Sequence, residues 1–137
     1  MTGKDLQRRV AEQERFSIHA AGCEALVLEA EHAICRMKND DRIKNDLGNP
    51  MGGALFTLGD YAFAVASNCV ANRACVTQSA TVSYLKAATG NWIYAEAQCV
   101  HSGRSSCVYT VHLRDDDGQE IALMTFTGHY LYQQGCD

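Results

Sequence analysis

The chain has 137 residues and a net charge of −4, which suits one domain with a substantial core and is too short for two. Its charge and the lack of a basic run argue against nucleic acid as a partner. The most apolar span, residues 52–66, is shorter than the ~20 residues that cross a membrane. The charged N-terminus lacks the apolar core of a signal peptide, so we expect a cytoplasmic protein.

The predicted elements, in chain order, are a helix, two strands, a long central helix and four strands. The N-terminal helix covers about residues 4–19, the two strands cover 24–31 and 32–38, and the central helix covers about 51–70. The C-terminal strands are expected at 75–87, 92–102, 105–114 and 120–132, with an acidic turn at 115–117 interpreted as a solvated hairpin tip.

The central helix is apolar nearly all round, which is typical of a helix that a sheet covers. We therefore predict one α+β domain over residues 1–137, in which an antiparallel sheet wraps around a long central helix. Seven cysteines form no Cys-x-x-Cys pair, and Cys99 and Cys107 alternate with apolar residues, as expected for small buried side chains. His32 and Cys35 should face opposite sides of a strand, so the sequence predicts no metal site.

Two features of the central helix indicate chemistry. Gly52 and Gly53 begin it, and the first backbone N–H groups of a helix are free to bind an oxyanion. Asp60 lies in the middle of the apolar helix, where burying an unpaired carboxylate is costly enough to require a reason. Backbone donors and a buried carboxylate are two of the groups needed to hydrolyse an activated acyl group.

These residues belong to a longer pattern, Asn45-x-x-Gly48-x-x-Met51-Gly52-Gly53, with Asp60 seven residues after the second glycine. With Tyr84-Leu-Lys-Ala87 and Gly103-Arg104, the pattern resembles the hotdog-fold acyl-CoA thioesterases of the phenylacetate-degradation (PaaI-like) type, over roughly residues 15–132. The family commonly has His at the position of Met51, and Met cannot donate a hydrogen bond.

The resemblance implies hydrolysis of an acyl-CoA thioester, with coenzyme A as part of the substrate and no cofactor. It implies that Asp60 activates water or attacks as a nucleophile, and that the Gly52 N–H stabilises the oxyanion. It also implies that Asn45 lies near the thioester carbonyl and that Thr77 steadies the water. The alternative for Asn45 is an ordinary turn residue, and the alternative for Thr77 is an ordinary strand residue.

Other candidates would contact the substrate. Met51 and Gly53 are expected to line the site, and Arg73, Lys86 and Arg104 are candidates for the coenzyme A phosphates, with ordinary solvated surface charges as the alternative.

The positions of Gly52 and Asp60 predict a dimer. Eight residues separate them by ~12 Å along one helix, whereas one thioester carbon must lie within ~3.5 Å of both attacker and oxyanion donor. Two antiparallel helices of a symmetric homodimer meet this requirement, and association into a dimer of dimers, a homotetramer, is left open.

Two other functions compete with hydrolysis. Met51 motivates a non-catalytic acyl-CoA binder or sensor, against which the buried Asp60 argues. A hotdog hydratase would need a paired Asp and His before the central helix, and no His lies near Asp46. Aromatic and medium-chain acyl groups both fit this sequence.

Overall fold

A computed structural model describes residues 2–68, 70 and 73–131 of the chain. The helices are α1 (Gly3–Gln13), α2 (Arg15–His19) and α3 (Gly52–Ser67), with a 3-10 turn at Asp41–Ile43. The strands are β1 (Glu24–Glu29), β2 (His32–Lys38), β3 (Cys75–Tyr84), β4 (Trp92–Ser102), β5 (Ser106–Asp115) and β6 (Glu120–Tyr130). Among the described residues no helix is long and apolar enough to span a membrane. Cys69, Cys136 and residue 132 lie outside the described residues.

The six strands form one antiparallel sheet in the order β1-β2-β4-β5-β6-β3. Strand β2 and the first half of β4 bury every second side chain, which is the pattern of a sheet with one covered face. Helix α3 covers that face, and Phe63 of the helix stacks on Phe126 of β6 with ring centroids 5.0 Å apart. The predicted α+β architecture, a sheet around a long central helix, is confirmed.

The helices differ from the prediction at their ends. Glu14 has an extended backbone and divides the predicted first helix into α1 and α2. The central helix ends at Ser67 because Asn68 caps it and binds the next strand. The Asn68 side chain donates to the Ala64 carbonyl and accepts from the backbone N–H of Cys75 at 2.9 Å.

The interpretation of the acidic turn as merely solvated is wrong for its first residue. Asp115 is buried, and its carboxylate accepts hydrogen bonds from the backbone N–H groups of Thr89, Asp117 and Gln119 and from the Thr89 hydroxyl. Asp116 accepts from two backbone N–H groups at the start of β4. The turn therefore fastens the β5–β6 hairpin to the segment before β4.

Strand β3 contains a bulge that changes which side chains face the helix. Its register against β6 shifts between Thr77 and Ser79. Thr77 lies opposite Gly128 and Tyr84 lies opposite Ala122, and both of these β6 residues point into the core. In a regular strand, residues seven apart would face opposite sides of the sheet. The extra residue of the bulge allows Thr77 and Tyr84 to face α3 together.

Candidate active site

The carboxylate of Asp60 meets a hydroxyl from the neighbouring strand. Asp60 is half-buried in the middle of α3, and Thr77 lies near the start of β3. The Thr77 Oγ1 donates a hydrogen bond to the Asp60 Oδ1 at 2.8 Å. The structure thus brings together the two residues that the sequence analysis assigned to the carboxylate and to the water that it activates.

Burial changes the basicity of this carboxylate. Desolvation raises the pKa of Asp60 above its usual value, and the hydrogen bond from Thr77 opposes that rise without cancelling it. A carboxylate with a raised pKa is, in its ionised form, a stronger base than a free one. Asp60 therefore suits proton removal from water.

The start of α3 presents two free backbone donors. Among the described residues, neither Gly52 nor Gly53 has an acceptor for its N–H, whereas the N–H groups of Ala54 and Leu55 both bind the Met51 carbonyl. The Met51 side chain is exposed and forms no cap for the helix. An oxyanion or a carbonyl oxygen could occupy this position.

Asn45 organises the loop before the helix. Its Oδ1 accepts hydrogen bonds from the backbone N–H groups of Leu47 and Asn49, at 3.0 and 3.1 Å. The side chain thus acts as a turn residue, the alternative that the sequence left open. Its amide Nδ2 donates to no described residue and is free for a ligand, so a place near the thioester stays a prediction.

A cleft of about 400 Å³ opens beside Gly52. Its other walls come from the loop before α3 and from the end of β3 with the residues that follow: Asn49, Pro50, Leu55, Tyr84, Leu85, Lys86, Ala87 and Ala88. Lys86 is exposed at this cleft. A lysine ammonium here can meet a phosphate of a bound ligand.

Arg73 and Arg104 lie at the other end of β3 and β6. The Arg73 guanidinium donates to the Arg104 carbonyl and lies 4.3 Å from the centre of the Tyr130 ring. Arg73 thereby holds the β4–β5 turn in place. Neither arginine lines the cleft beside Gly52 within one chain, so their role in phosphate binding stays a prediction.

Sequence reasoning missed Tyr84 as a site residue. Its hydroxyl donates to the Gly52 carbonyl at 2.8 Å, and a Cβ built on Gly52 would lie 3.1 Å from its ring. The bulge in β3 leaves no pattern in the sequence, so the inward face of this tyrosine could not be predicted. Within the described ranges, no group of three or more His, Cys, Asp or Glu side chains could hold a metal.

The comparison with protein families decides what kind of protein carries these groups. The model of the thioesterase superfamily matches residues 47–122, more than half of the chain. This chain belongs to the thioesterase superfamily. The matched segment includes Gly52, Asp60, Thr77 and Tyr84.

Individual thioesterases are similar over most of the chain. The acyl-coenzyme A thioesterase PaaI of Escherichia coli is 28% identical over 113 residues, covering 82% of this chain and 80% of its own. The structure of E. coli PaaI superposes with a TM-score of 0.85 over 96% of each chain at 22% identity, which shows the shared hotdog fold. A hypothetical thioesterase protein of Streptococcus pneumoniae, solved with coenzyme A, gives a TM-score of 0.80 at 27% identity, covering 90% of this chain and 98% of its own.

Proposed function

We propose that this protein hydrolyses acyl-CoA thioesters to a free acid and coenzyme A. The observation that carries the proposal is the hydrogen bond between Thr77 and the half-buried Asp60, on a helix that begins with two free backbone donors. The names of the relatives and the structure solved with coenzyme A support this class of substrate.

The proposed reaction uses the carboxylate as a general base. Asp60, oriented by Thr77, takes a proton from a water molecule as the water oxygen attacks the thioester carbonyl carbon. Negative charge then develops on the carbonyl oxygen, and the Gly52 N–H stabilises it. When this intermediate collapses, the C–S bond breaks and the coenzyme A thiolate takes up the proton. Direct attack by Asp60 would instead form an anhydride, and single-turnover hydrolysis in heavy-oxygen water separates the two routes.

A second copy of the chain is needed to assemble these groups. Gly52 and Asp60 lie ~12 Å apart along α3, too far to act on the same carbon. Strand β3 supports a partner because it is an edge strand, exposed on both faces from Val76 to Thr81. At the opposite edge, side chains of α1 already bind the end of β1: Gln7 donates to the Glu29 carbonyl at 2.6 Å and Lys4 donates to the Leu28 carbonyl.

In an antiparallel dimer through β3, each site would take different groups from the two chains. One chain would supply Gly52 and Lys86, which lie near the end of β3, and the other would supply Asp60 and Thr77, which lie near its start. This arrangement also brings the arginines of the second chain toward the same site, where they would meet the phosphates of coenzyme A.

The first experiment measures thiol release from a panel of aromatic and medium-chain acyl-CoAs. We expect turnover by the wild type and a loss of ~100-fold or more in Asp60→Asn. Binding of acyl-CoA without thiol release would instead favour the binder or sensor, which the missing donor at Met51 supports.

A pair of variants tests the backbone donor. Gly52→Pro removes the N–H at the first helical position, where proline is tolerated, and the extended backbone of Met51 suits a following proline. Gly52→Ala is the matched control because it adds the same Cβ next to Tyr84 and keeps the N–H. We expect kcat to fall by ~100-fold in the proline variant relative to the alanine variant. Equal rates would exclude Gly52 as the donor.

Mixing two inactive variants tests the shared site. A heterodimer of Asp60→Asn and Gly52→Pro contains one site with both groups intact if the site is shared, so mixing should restore about one quarter of the wild-type activity. If each chain carried its own complete site, no activity would return.

A further inference from the structure

Tyr84 contacts the backbone at the place where the proposed reaction needs it most rigid. Its hydroxyl donates to the Gly52 carbonyl at 2.8 Å, and its ring lies so close that a Cβ at position 52 would be 3.1 Å from it. It is the last residue of β3, so the bond joins the end of the sheet to the first turn of α3. No side chain caps this helix; in its first turn the Tyr84 hydroxyl donates to the Gly52 carbonyl, and the Thr57 hydroxyl donates to the Gly53 carbonyl at 2.8 Å.

The Gly52 carbonyl and the Gly53 N–H belong to the same peptide group. A hydrogen bond to the carbonyl oxygen fixes the plane of that group and also polarises its N–H, by roughly 10–30% in strength per bond. Gly53 donates this N–H to no described residue. The bond from Tyr84 therefore acts on an N–H that has no acceptor among the described residues, although the tyrosine contacts the carbonyl side of the same peptide group.

We propose that Tyr84 is a positioning residue, whose hydroxyl holds the Gly52–Gly53 peptide so that the backbone donors meet the thioester oxygen. The inference rests on the proposed function. It adds Gly53 as a second oxyanion donor beside Gly52, and Tyr84 as the residue that acts through it. Glycine has the widest backbone freedom of any residue, so this additional bond restricts the Gly52–Gly53 peptide beyond what the helix itself imposes.

The surroundings keep the tyrosine in its donating form. Partial burial raises the pKa of Tyr84 above its usual value, which favours the protonated hydroxyl that can donate. The acceptor is a carbonyl oxygen, which has only lone pairs to offer, so the hydroxyl must be the donor.

Tyr84→Phe tests this role because it keeps the ring and removes only the hydroxyl. We expect kcat for acyl-CoA hydrolysis to fall about fivefold to tenfold with KM unchanged within about twofold, the effect of one neutral hydrogen bond used in the transition state. Tyr94→Phe is the matched control, since it removes a hydroxyl on β4 from the face of the sheet opposite α3. Unchanged kcat in Tyr84→Phe would overturn the proposal.

A second measurement does not depend on turnover. The amide proton of Gly53 should resonate upfield in Tyr84→Phe relative to the wild type and to Tyr94→Phe, because its peptide group loses polarisation. If the wild type releases no thiol, the proposed function fails, and this shift alone decides whether Tyr84 holds the peptide. An unmoved Gly53 resonance refutes the positioning role in either case.

Discussion

Replacing Thr77 by valine removes a single hydroxyl from the Asp60 carboxylate and keeps the shape of the side chain. The lost bond is 2.8 Å long and has a charged acceptor. Hydrogen bonds to charged groups contribute about 1.5–3 kcal/mol, and solvent at this half-exposed pair favours the lower end. About 1.5 kcal/mol corresponds to a tenfold change in rate. We therefore expect kcat/KM to fall about tenfold near neutral pH.

The Thr77→Val substitution should also shift the pH dependence of the rate in a defined direction. Burial raises the pKa of Asp60 and the Thr77 bond lowers it, so the pKa rises further when the bond is lost. A general base acts only when ionised, so the acid limb of the pH–rate profile should move to higher pH in Thr77→Val. The defect should therefore be larger in acid than at neutral pH, as measured by thiol release across a pH series.

Two variants serve as controls for this experiment. Thr77→Ser keeps the hydroxyl and should retain most of the activity with an unshifted acid limb. Thr110→Val removes a hydroxyl from β5 on the face of the sheet opposite α3, away from the edge strand, and should leave both the rate and the acid limb unchanged. If Thr77→Val shows a normal acid limb, the bond does not act on Asp60 and the proposed role of Thr77 is wrong.

Three substitutions test the energetics of the fold and site. Asp60→Asn should raise the free energy of unfolding at neutral pH, because the raised pKa means that the fold disfavours the ionised form, and this gain should vanish in acid. Asp115→Asn should lower it by ~2 kcal/mol at neutral pH, measured by chemical denaturation. Burial raises the pKa of Asp115, but its hydrogen bonds outweigh burial and hold the pKa below its usual value. The stability that the ionised carboxylate contributes is therefore lost as the pH falls from the usual pKa through the lowered one, and the difference in unfolding free energy between wild type and Asp115→Asn should shrink in acid. Gly128→Ala should lower the melting temperature, with a cost of ~2 kcal/mol, because its Cβ would lie 2.7 Å from the Phe63 ring and closer still to the Cys75 sulfur.

Sequence periodicity predicted the elements whose side chains follow one regular pattern of burial. Strand β2 and the first half of β4 have one covered face, so burial alternates along them in the same way as hydrophobicity. The central helix was visible because α3 is apolar on nearly every side. The break at Glu14 has no glycine or proline to mark it, and the burial of Asp115 depends on donors from a loop more than twenty residues earlier. Both come from tertiary contacts that no local pattern records.

The candidate site also has a part that the sequence predicts and a part that depends on tertiary contacts. The spacing of Gly52 and Asp60 on one helix follows directly from helix geometry, and it led to the prediction of a dimer. The contact between Thr77 and Asp60 depends on the register of β3, and the contact of Tyr84 with Gly52 depends on the bulge as well. Strand β3 is exposed on both faces in the single chain, so its sequence carries no alternation from which either contact could be inferred.

The bulge in β3 makes the length of this strand as informative as its sequence. Losing one residue from the regular part of the strand moves every side chain beyond the change to the other face of the sheet. Deleting Gln78, in contrast, would remove the bulge itself and leave Thr77 and Tyr84 six residues apart, so that both would still face α3 in a regular strand. Relatives in which strand and helix make both contacts should therefore have either the bulge with an odd separation between these two residues or a regular strand with an even separation, even where few of the other side chains are shared.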